Sequence, residues 1–319
     1  MIFLLFIFWT LGLIFGSFST VLIERWQSGK WGIMMGRSEC PHCHHILWWR
    51  DLFPLISYLW SRGKCSHCDI PIPGFYPIAE ILMGSIFAIV AYAGMRIGID
   101  PISMEMLLLL LFAFTTGVYI LYDMRYMEIP DQIMVPVIYL LLAIPFFSLL
   151  FSSYTGYTFH TFHIPITDRL YGAFFLYTFF YLQILIPGGY HLAKNKDWKH
   201  LWELILSYIT FPIVMLVDIW RTPKQEETLE IPTWIGGGDL RIAIFAWLTL
   251  GVVHGIASFA FAYIIGSIIW IAILLYNAIQ RKKTESQIPF WPFLGIGWIL
   301  SILYYPEIID LYHILATGQ

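Results

Sequence analysis

The stretch that decides the fold is Met1–Ile23, MIFLLFIFWTLGLIFGSFSTVLI, which contains no charged residue. A helix of roughly 20 mostly apolar residues spans a bilayer, so this stretch is read as a membrane span. It lacks a basic leader and a small-residue cleavage site, and is therefore expected to be retained, not cleaved as a signal peptide. Similar runs recur at 76–95, 105–123, 131–151, 169–190, 235–253, 255–280 and 287–305, which predicts about eight spans. Segment 203–220 holds Glu203, Pro212 and Asp218 and reads as an interfacial or re-entrant helix. The composition agrees. Of the 319 residues, 59% are hydrophobic, 18% aromatic and only 12% charged, against about 25% charged in soluble domains. Mean hydropathy is +0.71. A soluble or disordered chain is excluded, and a net charge of −3 argues against a nucleic-acid partner. The fold class expected is an all-α polytopic membrane protein.

Basic residues give the orientation. With the N-terminus outside and eight spans threaded, every lysine and arginine except Arg96 and Arg169 falls inside. Counting 203–220 as a full span would put Arg281, Lys282 and Lys283 outside. The chain then divides into a first span (1–23), a cytoplasmic insert (24–75) and a helical membrane domain (76–319). A second cytoplasmic insertion lies at 191–234. No long internal repeat is evident.

All four cysteines lie in the first insert, as Cys40-Pro-His-Cys43 and Cys65-Ser-His-Cys68. Two C-x-x-C pairs can supply four thiolates to one tetrahedral zinc. A reducing cytosol disfavours disulfides there. Four free or redox-active thiols are the other reading, and His42, His44, His45 or His67 could replace a ligand. Zinc with four protein ligands is structural, because no position stays open for a substrate.

Two acidic residues stand at the same predicted boundary. Asp123 ends the third span in Leu-Tyr-Asp-Met-Arg, and Asp239 opens the sixth in Gly236-Gly-Gly-Asp-Leu-Arg241. Two converging carboxylates share a proton, and one then activates water while the other polarises a carbonyl. That is aspartic protease chemistry. A boundary residue wetted by headgroups, or a proton path, is the competing reading of either residue alone. Asp131 reads as a cap after Pro130 or an accessory to the first site. Glu80, inside a span, can orient a partner or receive substrate. Trp48, Trp49, Trp198 and Trp202 read as interface anchors.

Taken in order, the motifs resemble the type IV prepilin leader peptidases, the bacterial GxGD aspartic proteases. They are Gly16-Ser-Phe18 with Val21-Leu-Ile-Glu-Arg25, Cys40-Pro-His-Cys43, Pro54-Leu-Ile-Ser57, Arg62-Gly-Lys-Cys65 and Tyr76-Pro-Ile-Ala-Glu80. Asp123 with Ile129-Pro-Asp131, Gly236–Arg241 and Ile288-Pro-Phe-Trp-Pro-Phe-Leu294 complete the series. The resemblance implies that Asp123 and Asp239 are the catalytic pair. It implies that Cys40, Cys43, Cys65 and Cys68 bind zinc in the longer, bifunctional architecture. The substrates implied are type IV prepilins or pseudopilins of type II secretion, whose basic leader is cut at the cytoplasmic face of the inner membrane. Methylation of the new N-terminus with S-adenosylmethionine is implied by the resemblance alone. The chain departs from the family where Ser19-Thr20 stands in place of the usual Asn, where Arg241 replaces Lys, and in its long 191–234 insertion. A non-catalytic assembly or transport protein on the same scaffold is the alternative, and the intact Asp pair argues against it.

Overall fold

The computed structural model describes residues 1–27, 37–40, 42–127, 136–141, 143, 166–218, 237–280 and 291–317. Among them no strand occurs beyond two isolated bridges, and the chain is an all-α, multi-pass membrane protein. Four described helices are long and apolar enough to cross a membrane, and a bent pair would make five. The predicted span 131–151, Asp131, and the basic cluster 281–283 lie outside the described residues, apart from a helical piece at 136–141.

The chain divides into two compact units. In the first, α1 (Ile2–Gln27), α3 (Phe75–Arg96) and α4 (Met104–Tyr126) form the helical body, each a few residues longer than its predicted span. Helix α1 packs antiparallel on α3 through small residues. A Cβ added at Gly12 would lie 2.7 Å from Gly84 Cα, and one at Gly16 would lie 2.6 Å from Glu80 Cα. Without a hydrophobic drive between helices in lipid, close backbone approach of this kind is what holds them together. Met83 and Ile86 of α3 then press against Gly117 of α4. The short helix α2 (Ile56–Trp60) belongs to the insert between α1 and α3.

In the second unit, α5 (Ile166–Lys194) and α6 (Trp198–Asp218) form a hairpin. Asp197 begins α6 with its carboxylate 3.3 Å from the His200 N–H and 2.6 Å from His200 Nδ1. That His200 hydrogen bond holds the Asp197 carboxyl below the usual carboxylate range. Tyr177 and Tyr181 of α5 donate to the Tyr208 and Leu204 carbonyls of α6. The described part of segment 203–220, up to Asp218, is thus helix folded back on its predecessor.

Helix α7 (Gly237–Ile279) covers two predicted spans. It is broken at Gly251, whose φ of 70° and ψ of −173° only glycine adopts easily. The break frees the Val252 N–H, which donates to Asp168 Oδ2 at 3.1 Å. The carboxylate thereby caps the second half-helix. The predicted boundary at 253–255 is close to this break. Of the last predicted span, 287–305, residues 291–305 are described. Helix α8 (Trp291–Leu303) ends in an 81° bend into α9 (Tyr305–Thr317), which the sequence reading did not anticipate. Trp298 and Ser301 of α8 hydrogen-bond Thr249 Oγ1 and the His254 carbonyl of α7.

Candidate active site and metal centre

The insert folds into the same turn twice. Cys40 N–H donates to the His45 carbonyl, and His44 N–H returns to the Cys40 carbonyl. In the second knuckle Cys65 N–H donates to the Ile70 carbonyl, and Asp69 N–H returns to the Cys65 carbonyl. His44 and Asp69 take matching positive φ values of 54° and 58°. The bridges Glu39–Ile46 and Lys64–Pro71 close the two turns, and the His45 and His67 rings meet at 3.5 Å. This duplication is too short and too divergent in side chains to show as a sequence repeat.

The turns bring all four sulfurs to within 4.8 Å of one another. Zinc–sulfur bonds of about 2.3 Å set tetrahedral sulfurs about 3.8 Å apart, and Cys40 Sγ lies 3.9 Å from Cys68 Sγ. The donor set and spacing therefore fit a single tetrahedral metal ion. The thiols are unequal. The Cys43 N–H above all, against burial, lowers the Cys40 thiol to about 7. At Cys68 the Ile70 N–H pulls down, but burial and the three neighbouring sulfurs outweigh it and push the thiol up to about 12. Four thiolates this close repel one another, and a divalent cation relieves that repulsion.

Asp123 is buried, 7% exposed, in the last turn of α4. Around it the ends of α1, α3 and α4 are tied by polar contacts. Glu24 of α1 accepts from Tyr76 of α3 at 2.5 Å and pairs with Arg125 of α4 at 3.2 Å. Arg125 also stacks over the Phe75 ring at 4.6 Å, and Tyr122 donates to Gln27 at 2.7 Å. Asp123 is thus held at the same end of the helices as Glu24 and Tyr76. Asp239 is the third residue of α7, in its first turn after the glycines. Its carboxylate lies outside the described residues, and it belongs to the second unit while Asp123 belongs to the first.

A second polar node escaped the sequence reading. Glu80, 8% exposed, accepts from the Leu55 N–H of the insert at 2.8 Å, and its Cα packs against Gly16 of α1, next to Ser17. Gly-Ser-Phe, Pro-Leu-Ile-Ser and Tyr-Pro-x-x-Glu, three motifs far apart in sequence, meet here. Their order along the chain was visible; their convergence was not. The Glu80 carboxylate thus meets a backbone N–H of its own chain.

Residues 10–94 match the family model described as the bacterial peptidase A24 N-terminal domain. The chain is 27% identical over 318 residues to a prepilin leader peptidase/N-methyltransferase of Bacillus subtilis, covering 100% of both chains. A protein of the same name from Aeromonas salmonicida is 27% identical over 85% of this chain and 72% of its own. One from Myxococcus xanthus is 42% identical over 86 residues, 27% of this chain and 25% of its own. No solved structure matches. Over residues 10–94 the chain is thus similar to the bacterial peptidase A24 N-terminal domain, and along its whole length to the Bacillus subtilis prepilin leader peptidase/N-methyltransferase.

Proposed function

We propose that this protein is a membrane aspartic endopeptidase that removes the leader of type IV prepilins or type II secretion pseudopilins, with Asp123 and Asp239 as its catalytic pair. The observation that carries the reading is the buried Asp123 in the last turn of α4, at the helix ends that the Glu24–Tyr76–Arg125 contacts tie together, in a chain similar end to end to a protein of that name. One carboxylate, ionised, takes a proton from water as the water oxygen attacks the scissile carbonyl carbon. The other, protonated, hydrogen-bonds the carbonyl oxygen. The tetrahedral intermediate collapses with cleavage of the C–N bond, and the leaving amine takes the proton. No covalent enzyme intermediate is formed. The distribution of basic residues supports an N-terminus outside and a site at the cytoplasmic face of the inner membrane.

Cys40, Cys43, Cys65 and Cys68 would hold zinc, which cross-links the insert and, with four thiolates, has no position left for substrate. The methyltransferase half of the relatives' name supports methylation of the new N-terminus with S-adenosylmethionine, and we assign that donor no site among the described residues. The test is co-expression with candidate prepilins from the same genome. Leader removal by the native chain, and none by Asp123→Asn, is the expected result.

A further inference from the structure

The insert between α1 and α3 reads in sequence as cytoplasmic, but its middle does not sit above the helices. Leu55 donates its N–H to the Glu80 carboxylate at 2.8 Å. Gly16, beside Ser17, lies against Glu80 Cα. Glu80 Cα is therefore level with Gly16 and Ser17 along α1, and Leu55 lies at the end of the Glu80 side chain. Ser17 lies six residues before Ile23, the end of the uncharged stretch, and at 1.5 Å per residue that is about 9 Å inside the apolar boundary.

At this level the chain turns its apolar side chains outward. Phe53 is 48% exposed, Ile56 60%, Leu59 74% and Trp60 87%. Water-facing side chains of this kind would form a costly patch. The backbone is equipped for a dry environment instead. Leu55 N–H is satisfied by Glu80, and the next N–H groups at Ile56, Ser57 and Leu59 donate to Pro54, Phe53 and Leu55 carbonyls. Non-helical backbone at membrane depth is tolerated only when its polar groups are met in this way. Arg50, Arg62 and Lys64 bracket the segment, placed for lipid phosphates.

We propose that Phe53–Trp60 is a monotopic membrane segment whose occupant is lipid: Ile56, Leu59 and Trp60 contact acyl chains, and the flanking cations contact headgroups. The four-cysteine knuckles are thereby held against the bilayer surface. The inference rests on the multi-pass membrane fold and is independent of the peptidase reading.

The test uses the full-length chain in vesicles of phosphatidylethanolamine and phosphatidylglycerol. A photoreactive benzoylphenylalanine is placed at Leu59, at Trp60, or at the exposed knuckle residue Ser66. Phospholipid adducts at 59 and 60, and none at 66, are expected. Absence of lipid adducts at 59 and 60, or their replacement by cross-links to a second protein or to this chain itself, overturns the proposal. A label-free arm compares native protein with Trp60→Phe in brominated-lipid vesicles. The emission lost on substitution should be the emission bromine quenches. A Trp60 contribution equal in brominated and unbrominated vesicles overturns the proposal as well.

Discussion

Asp123 and Asp239 are read as one device, so their variants should behave as one. Asp123→Asn and Asp239→Asn should each lower prepilin cleavage by about 10²-fold or more, with the protein still inserted in the membrane. The double variant should be no worse than either single one. Measured turnover within a few-fold of native for either single variant would remove that residue from the pair. Glu80 behaves differently. Its carboxylate accepts a backbone N–H in a buried place, and charge-assisted bonds of this kind contribute about 1.5–3 kcal/mol. Glu80→Ala should lower the thermal midpoint and open the insert to protease, while Glu80→Gln, which keeps an acceptor oxygen, should recover most of both. Equal stability of Ala and native would show that Leu55 needs no such anchor. The two cases differ in legibility for a physical reason. Each Asp sits in a local motif of a few residues, and such motifs can be read directly. The Gly16–Glu80–Leu55 node joins three segments, and only the packing of α1 on α3 brings them together.

Among the elements, the knuckle pair can be dissected most directly. Its spacing is legible because two C-x-x-C turns chelate locally; its duplicated hydrogen bonding is not, because the repeated property is backbone geometry. Purified full-length protein should hold about one zinc per chain, as one four-ligand site requires. Cys40→Ser or Cys68→Ser should lower metal content and thermal midpoint together, since metal binding and folding share one free energy. Protons compete with the metal for thiolates, so metal content should fall as pH falls; because the bound cation itself holds the thiols deprotonated, release should come well below the range of the free thiols. Elemental analysis across a pH series checks the sign; metal content that rises as pH falls, or metal-free native protein with four reactive thiols, would refute the site. The α7 break shows the same division of legibility. A continuous apolar run longer than one span signals two helices, which places a break near 253–255, but only the backbone identifies Gly251 and the Asp168 cap. Helix α9 stayed hidden because Glu307 and Asp310 lower its hydropathy, while Pro306 is well placed at a helix start.

For the whole molecule, sidedness decides what the substrate must look like. A membrane-impermeant thiol reagent should reach a cysteine placed at Ile102, the exposed turn between α3 and α4, from outside, and one at Gln280 only from the cytoplasm. The reverse pattern would move the Asp123 end of the helices to the outer face. With that end inside, the scissile bond also lies at the inner boundary. A substrate then needs a short leader rich in Lys or Arg, kept inside by the positive-inside rule, followed by roughly 20 apolar residues that lie in the bilayer beside the enzyme. The residue before the cut should be Gly. An extended chain must pass between two carboxylates with its carbonyl free, and a helix would tie that carbonyl in an internal hydrogen bond. Replacing this Gly with Val should slow cleavage strongly, whereas a conservative change deep in the apolar segment should leave the rate nearly unchanged. Moving the basic cluster away from the cut should weaken processing as well. The comparison that settles lateral entry is the rate on a membrane-anchored prepilin against a soluble, leaderless peptide carrying the same cleavage sequence. The anchored substrate should be cut far faster, because the bilayer confines its apolar helix to the plane of the enzyme and holds the cut at the height of Asp123. Equal rates would show that the enzyme reads the peptide alone, as a general membrane-bound aspartic protease does.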